Sequence, residues 1–160
     1  MGSSIPAVID YLITGLAAPL AAIEPTTVLA DGMPLTASET MVVVGRTSPE
    51  SGNGTIGEDA YVELGAQRIQ ETYTLPIYVD VFREGPAQKP ARDAAFGLYD
   101  AVVKFVAADP TLGELLTQGR IAQAARLSLH QTQDDQDTAG GGYMRAQIQF
   151  ELQIQNTYFL

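Results

Sequence analysis

The chain of 160 residues contains no cysteine. That excludes a disulfide framework, a zinc–thiolate site, an iron–sulfur cluster and a thiol nucleophile. It holds a single histidine, His130. Bases are scarce: 9 Lys and Arg stand against 19 Asp and Glu, for a formal net charge of −10. A nucleic-acid binder needs a basic surface facing phosphates, and a peripheral membrane protein needs one facing anionic lipid, so this balance argues against both. Only one long apolar run occurs, Ile5 to Ile23. It lacks a basic leading segment and contains Asp10, Gly15 and Pro19, which marks a soluble helix and not a signal peptide or a membrane span. With no targeting signal visible, synthesis in the cytoplasm is expected. What is present is ordinary for a globular domain: 46% of residues are apolar. One domain, residues 1–160, is expected, able to bury about 70% of its unfolded surface.

Periodicity supplies the elements. Ser3 or Ser4 is placed to cap a first helix, Pro6 suits its first turn, and Val8, Tyr11, Leu12 and Leu16 form its apolar face. Pro19 and Pro25 are expected to punctuate its end. A short strand at Thr26–Ala30 and a turn at Asp31-Gly32-Met33-Pro34 follow. Thr36-x-x-Glu39 has the form of a capping box, but the β-branched run Met41–Val44 after it reads as a buried strand. Residues 47–67 carry four glycines and Pro49, which predicts a long loop with a short strand at Tyr61–Leu64.

From 68 to 83, Ile69, Tyr73, Leu75, Ile77, Val79 and Val81 alternate with Gln70, Thr72, Thr74 and Asp80, the signature of a half-buried strand. Pro76 in its middle predicts an edge position or a bulge. A linker at Arg83–Pro90 leads to a helix over 91–108 with Ala95, Leu98, Val102, Phe105 and Val106 buried. Asp109-Pro110 then predicts a second, short helix stopped by Gly119. The last forty residues read as a hairpin. Ala125, Leu127 and Leu129 make one strand, and Met144, Ala146, Ile148, Phe150, Leu152 and Ile154 alternate with polar residues in the other. At ~3.3 Å per residue a 13-residue strand spans roughly 43 Å, so part of the hairpin is expected to project. The predicted class is α+β: a mostly antiparallel sheet, helices packed on one face, and a long C-terminal β-hairpin. The other face is rich in Gln and Thr, polar without strong charge, which makes it a candidate for a protein partner.

Chemical motifs are weak. Gly52-Asn53-Gly54-Thr55-Ile56-Gly57 fits G-x-G-x-x-G, yet no strand leads directly into it, Glu58 and Asp59 occupy the place of a phosphate, and no helical stripe follows; a loop is expected. Asp134-Asp135-Gln136-Asp137 lacks the later ligands of a calcium loop and reads as a solvated hairpin tip. Ser128 and His130 share a strand face, but there is no nucleophile elbow. Paired carboxylates lie in loops with nothing apolar to shift their titration. Nothing points to an enzyme, a metal or a cofactor.

The chain nonetheless resembles a family in element order, size and texture over nearly its whole length. The residues are the helix Ile5–Leu20, the strand Met41–Val44 with the long loop after it, and the strand Glu71-Thr72-Tyr73-Thr74-Leu75-Pro76-Ile77-Tyr78-Val79. They continue with the helix Ala91–Ala108 running into Asp109-Pro110-Thr111-Leu112, then Ala125-Arg126-Leu127-Ser128-Leu129, an acidic Gly-rich tip, and the strand Ala146–Ile154. They resemble the tail terminator (tail completion) proteins of long, non-contractile-tailed bacteriophages. The resemblance implies a structural virion protein of the tail and neck, assembled in the host cytoplasm. It would be a homo-oligomer, a hexameric ring that caps the tail tube protein, stops tail growth and presents a surface to a head-completion or connector protein. DNA would meet it only in transit through the lumen, with no cofactor and no membrane. A head–tail connector or stopper shares these features, and a small-molecule-binding α+β domain is the alternative from another class.

A closed ring needs two different adhesive surfaces on each subunit. Gln147, Gln149 and Gln153 on the polar face, and the terminal Tyr158, Phe159 and Leu160, are the candidates. Charge adds a second set. Residues 47–67 hold Glu50, Glu58, Asp59 and Glu63, residues 131–142 hold Asp134, Asp135 and Asp137, and neither segment contains a base. The rest of the chain is close to balanced. These two acidic segments are candidate lumen- or tube-facing loops, at least one of them expected to line the ring's channel, where like charge would let DNA slide, or to contact the tube.

Overall fold

In the computed structural model, residues 3–32, 34, 38–46, 56–63, 68–116, 118–121, 126–132 and 143–159 are described. The elements, in chain order, are α1 (Ile5–Ile23), β1 (Val28–Asp31), β2 (Thr40–Val44), β3 (Ile56–Glu63), β4 (Arg68–Glu84), α2 (Lys89–Ala108), β5 (Gln118–Ile121), β6 (Arg126–Thr132) and β7 (Tyr143–Phe159). The fold is α+β, as the alternation and the two helical stripes predict.

The axis of the sheet is a pair of 17-residue strands, β4 and β7, antiparallel and in register from Arg68 opposite Phe159 to Glu84 opposite Tyr143. The main strand order is β1-β2-β4-β7-β5, with β3 also paired to β4 and β6 also paired to β7. β1 runs parallel to β2, and every other pairing is antiparallel. Each long strand therefore has two shorter neighbours on its outer side, one along each half.

The apolar residues of the alternation share one face. Tyr73, Leu75, Ile77, Val79 and Val81 of β4 and Ala146, Ile148, Phe150, Leu152 and Ile154 of β7 join Val42 and Val44 in one buried core. The helices cover this face. Val8, Leu12, Leu16 and Leu20 of α1 and Ala91, Ala95, Leu98, Val102 and Val106 of α2 are buried in the same core. Complete burial of each large aliphatic side chain stabilises by roughly 1.5–3 kcal/mol. α1 is long and apolar enough to cross a membrane by length and composition, and here its buried stripe is part of this core. The helices approach closely at Gly15, where a Cβ would collide with the Phe105 ring. A smaller cluster, Met41, Val43 and Tyr78, lies on the opposite face.

Several expectations are corrected. Pro19 does not end α1. It lies inside the helix, which runs four residues further because Leu20, beyond it, is anchored in the core. Ser4 is the N-cap residue but makes no side-chain cap bond, since its hydroxyl is committed to the sheet. The strand expected at Tyr61–Leu64 is longer and starts earlier: residues 56–60, expected in the loop, join 61–63 as β3, because β4 offers a backbone edge along that half. Pro76 is neither at a sheet edge nor at a bulge but within the central strand. Its carbonyl accepts from the Gly45 N–H at 2.7 Å, so its missing donor faces the junction where β2 gives way to β3, and the ladder to β7 loses nothing.

The linker is shorter than Arg83–Pro90: β4 continues through Glu84, and α2 begins at Lys89. Residues 110–115 are turns instead of a helix. Asp109 takes the N–H groups of Thr111 (3.1 Å) and Gly113 (2.6 Å), and Leu112 and Glu114 adopt left-handed backbone. Gly119 lies within β5. The long C-terminal strand does not project, because β4 matches it end to end. β6 is the strand that precedes it and pairs antiparallel with it; Ala125 and the tip between β6 and β7 lie outside the described residues.

Candidate interaction surface

The face of β4 and β7 away from the helices is built by period two. Opposite one another stand Gln70 and Thr157, Thr72 and Gln155, Thr74 and Gln153, Pro76 and Glu151, Tyr78 and Gln149, and Asp80 and Gln147. Accessibility changes along this row. Tyr78, Asp80 and Gln147 are buried; Gln149, Glu151, Gln153 and Thr74 are half-buried; Thr72 and Gln155 are exposed.

The buried end is locked by charge. Arg145 donates Nε to Asp80 Oδ1 at 2.8 Å and Nη2 to Asp80 Oδ2 at 2.6 Å, a bidentate pair, while its guanidinium carbon stands 5.0 Å from the centre of the Phe82 ring. The Asp80 side chain is 1% exposed, so in low dielectric this pair is held strongly. Burial pushes the Tyr78 phenol up, with the Asp80 carboxylate adding to it and the Arg46 and Arg145 charges opposing. Tyr78 Oη and Gln147 Nε2 are buried with no hydrogen-bond partner among the described residues. The open end consists mainly of hydroxyls and amides, which donate and accept together, with the Glu151 carboxylate among them. Such a row suits hydrogen bonding to another protein surface.

Two further carboxylates organise the helix side. Glu71 is 3% exposed on β4's helix-facing side. It accepts from the Ser3 hydroxyl, from the Ser4 hydroxyl at 2.6 Å and from the Ser4 N–H at 3.1 Å, and so places a negative charge at the N-terminus of α1. Beside it, burial first of all drives the Tyr73 phenol up to about 12, the Glu71 charge adding and the Ser4 hydroxyl opposing. At the other end of α2, Asp109 accepts from Thr111 Oγ1 at 2.6 Å and from Tyr11 Oη at 3.1 Å as well as from the two N–H groups. These bonds, Thr111 first and then the Gly113 N–H, hold its carboxyl down to about 2. A cleft of about 350 Å³ lies between the helices, lined by Pro19, Ile23, Gly97, Ala101, Lys104 and Phe105.

Gln147, Gln149 and Gln153 do share one face, with Gln147 drawn into the buried end. Tyr158 and Phe159 are the last positions of β7, opposite Ile69 and Arg68. Glu58 and Asp59, expected in a loop, and Glu63, expected in a short strand within it, are all positions of β3, opposite Thr72, Glu71 and Arg68. Glu50, Asp134, Asp135, Asp137 and Leu160, like Gly52–Thr55 of the glycine motif, lie outside the described residues. Gly57, the motif's last glycine, is in β3, so a strand and not a helix follows it. Among the described residues no group of three or more His, Asp or Glu could hold a metal ion.

The residues missed in sequence are Glu71, Arg145 and Tyr11. Glu71 had a usable signal: it occupies an apolar phase of the β4 alternation, between Ile69 and Tyr73. No protein-family model matches the chain, and no curated protein matches it.

Proposed function

We propose that this chain is a structural protein of a long bacteriophage tail, a ring-forming cap that terminates the tail tube and offers its exposed surface to the neck. The observation that carries this reading is the element order together with the composition of the open sheet face. Two matched 17-residue strands present a row made mostly of hydroxyls and amides away from the helices, with Glu151 within it and the Asp80–Arg145 pair at one end. A polar face with so few charges suits contact with another subunit or with the tube.

Purified protein incubated with isolated tail tubes tests the reading by electron microscopy. Closed six-fold rings at one end of the tubes are expected. A stable monomer that ignores the tubes overturns the proposal. Binding to connector rings in place of tube ends converts the assignment to a head–tail stopper, and a ligand-dependent rise in melting temperature with no assembly points to a small-molecule-binding domain.

A further inference from the structure

The two helices run antiparallel, and three contacts set their register. Tyr11 Oη donates to Asp109 Oδ2 at 3.1 Å, the Phe105 ring covers Gly15, and Ile23 lies over Gly97, where a Cβ would stand 3.3 Å from Ile23 Cγ2. With Gly15 against Phe105 and Ile23 against Gly97, Pro19 of α1 stands level with Ala101 of α2. Both side chains are too small to fill the space between the helices there. The result is the cleft of about 350 Å³ that they line with Ile23, Gly97, Lys104 and Phe105. Small-molecule sites begin at about this size, roughly 300 Å³.

Apolar surface gathers at this cleft. Among the described residues, the large apolar side chains left exposed are Ile23, 50% exposed in the cleft wall, and Phe96, the residue before Gly97. Apolar surface left in water around a concavity is a mark of a binding site.

The charge at the rim is positive. Lys104 is exposed and makes no ion pair among the described residues, whereas Lys89 and Arg92, the other bases of α2, both pair with Asp93. Asp100, one turn before Lys104, makes no ion pair with it. The single charged residue of α1 is Asp10, nearer its other end, and Glu24 beyond Ile23 is engaged by Arg83 at 2.8 Å. The cleft therefore has apolar walls and an ammonium at one end. From Gly97 to Lys104, α2 advances about 10 Å, roughly the length of an extended eight-carbon chain.

We propose that this cleft binds small amphiphilic carboxylates, with the alkyl chain between Pro19 and Ala101 and the carboxylate on Lys104 Nζ. A polypeptide running along the groove would meet Ile23 at one end and Phe105 at the other, so a free molecule of matching length fits better. Full burial of a methylene multiplies affinity about fourfold, and about twofold is expected in a cleft with one side open to water. Longer chains gain until roughly eight carbons fill the space, and no further. Such binding is independent of the tail-cap reading, and neither outcome below bears on tube assembly.

Saturation-transfer NMR observed on the ligand tests this on the full chain, whatever the size of its assembly. The probes are hexanoate, octanoate and decanoate, with octanol and octylammonium at matched length, all below their micelle concentrations. Affinity is expected to rise about twofold per methylene from hexanoate to octanoate, with little added by decanoate. Octanoate is expected to bind at least about twofold tighter than octanol, and octylammonium weakest of the three. That order is diagnostic, because the chain carries a net charge of −10 and unspecific attraction would favour the ammonium. Lys104→Glu is expected to reverse the preference between octanoate and octylammonium. Ala101→Leu, which places a side chain where the alkyl tail lies, is expected to abolish binding of all the probes.

No saturation transfer to octanoate overturns the proposal. So does octylammonium binding wild type as tightly as octanoate, an unchanged preference in Lys104→Glu, or full binding by a folded Ala101→Leu variant. If circular dichroism shows Ala101→Leu unfolded, Gly97→Ala takes its place, since it favours the helix and narrows the cleft beside Ile23. It is expected to weaken octanoate at least about twofold while sparing hexanoate, and an unchanged octanoate affinity refutes the site.

Discussion

Replacing Glu71 tests how α1 is fastened to the sheet. The Glu71 carboxylate is almost fully buried and receives three hydrogen bonds from Ser3 and Ser4 at the first turn of a 19-residue helix. Each bond to a charged acceptor contributes about 1.5–3 kcal/mol, and a negative charge at a helix N-terminus a further ~0.3–1 kcal/mol or more. Against this stands the desolvation of the carboxylate, which costs several kcal/mol in a buried site. Ser3 is exposed, so water replaces part of what Glu71→Ala removes.

The balance is a net loss of about 2–3 kcal/mol, since the Ser4 N–H and hydroxyl both lose the acceptor they share. For a chain of this length that lowers Tm by roughly 4–12 °C. Glu71→Gln, which keeps one acceptor oxygen, is expected to lose about half as much. Urea unfolding followed by circular dichroism measures the change, with an unaltered m-value as the check that the unfolded state is the same. A double-mutant cycle with Ser4→Ala isolates the contact, and its coupling is expected to reach about 1–2 kcal/mol. Coupling near zero, or a Glu71→Ala variant as stable as wild type, would refute the view that this carboxylate anchors the helix.

Arg145→Met leaves the Asp80 carboxylate buried and unpaired and is expected to cost about 3–5 kcal/mol in chemical denaturation, whereas changing Asp80 and Arg145 together to apolar residues should cost much less. Gly15→Ala drives a methyl into Phe105 and is expected to cost about 1–3 kcal/mol, with Phe105→Leu in the same chain recovering part of it. Stability should vary at both extremes of pH. The Asp109 carboxyl is held at about 2 against an ordinary 3.8, so its contribution is complete above about 4 and is lost as pH falls through about 2; Asp109→Asn should flatten that limb in acid unfolding curves. The Tyr73 phenol, raised to about 12 from 10, makes stability fall as pH climbs from about 10 to about 12, and Tyr73→Phe should remove that slope, read by phenolate absorbance and unfolding together.

What was legible in sequence was what repeats locally. The β4 and β7 alternation placed eleven core positions on one face, and the α2 stripe placed Ala95, Leu98, Val102 and Val106. The polar character of the outer face, with Gln147, Gln149 and Gln153 in one row, followed from the same period of two. What was not legible depends on contacts distant in sequence. β3 has weak intrinsic strand character and forms on the free half of β4. Pro76 is accommodated because two different strands meet beside it. The turns after Asp109 form because one side chain supplies an acceptor to several donors, among them Tyr11 Oη from α1.

By itself, then, the sequence determined the class of fold, the two helical stripes and which face of the long strands is apolar, because periodicity is a property of consecutive residues. Tertiary structure alone decided that Glu58 and Asp59 belong to a strand and not to a loop, and that Glu71 is spent on α1. Each of these depends on which strand lies beside which, and that is settled by backbone pairing between segments far apart in the chain.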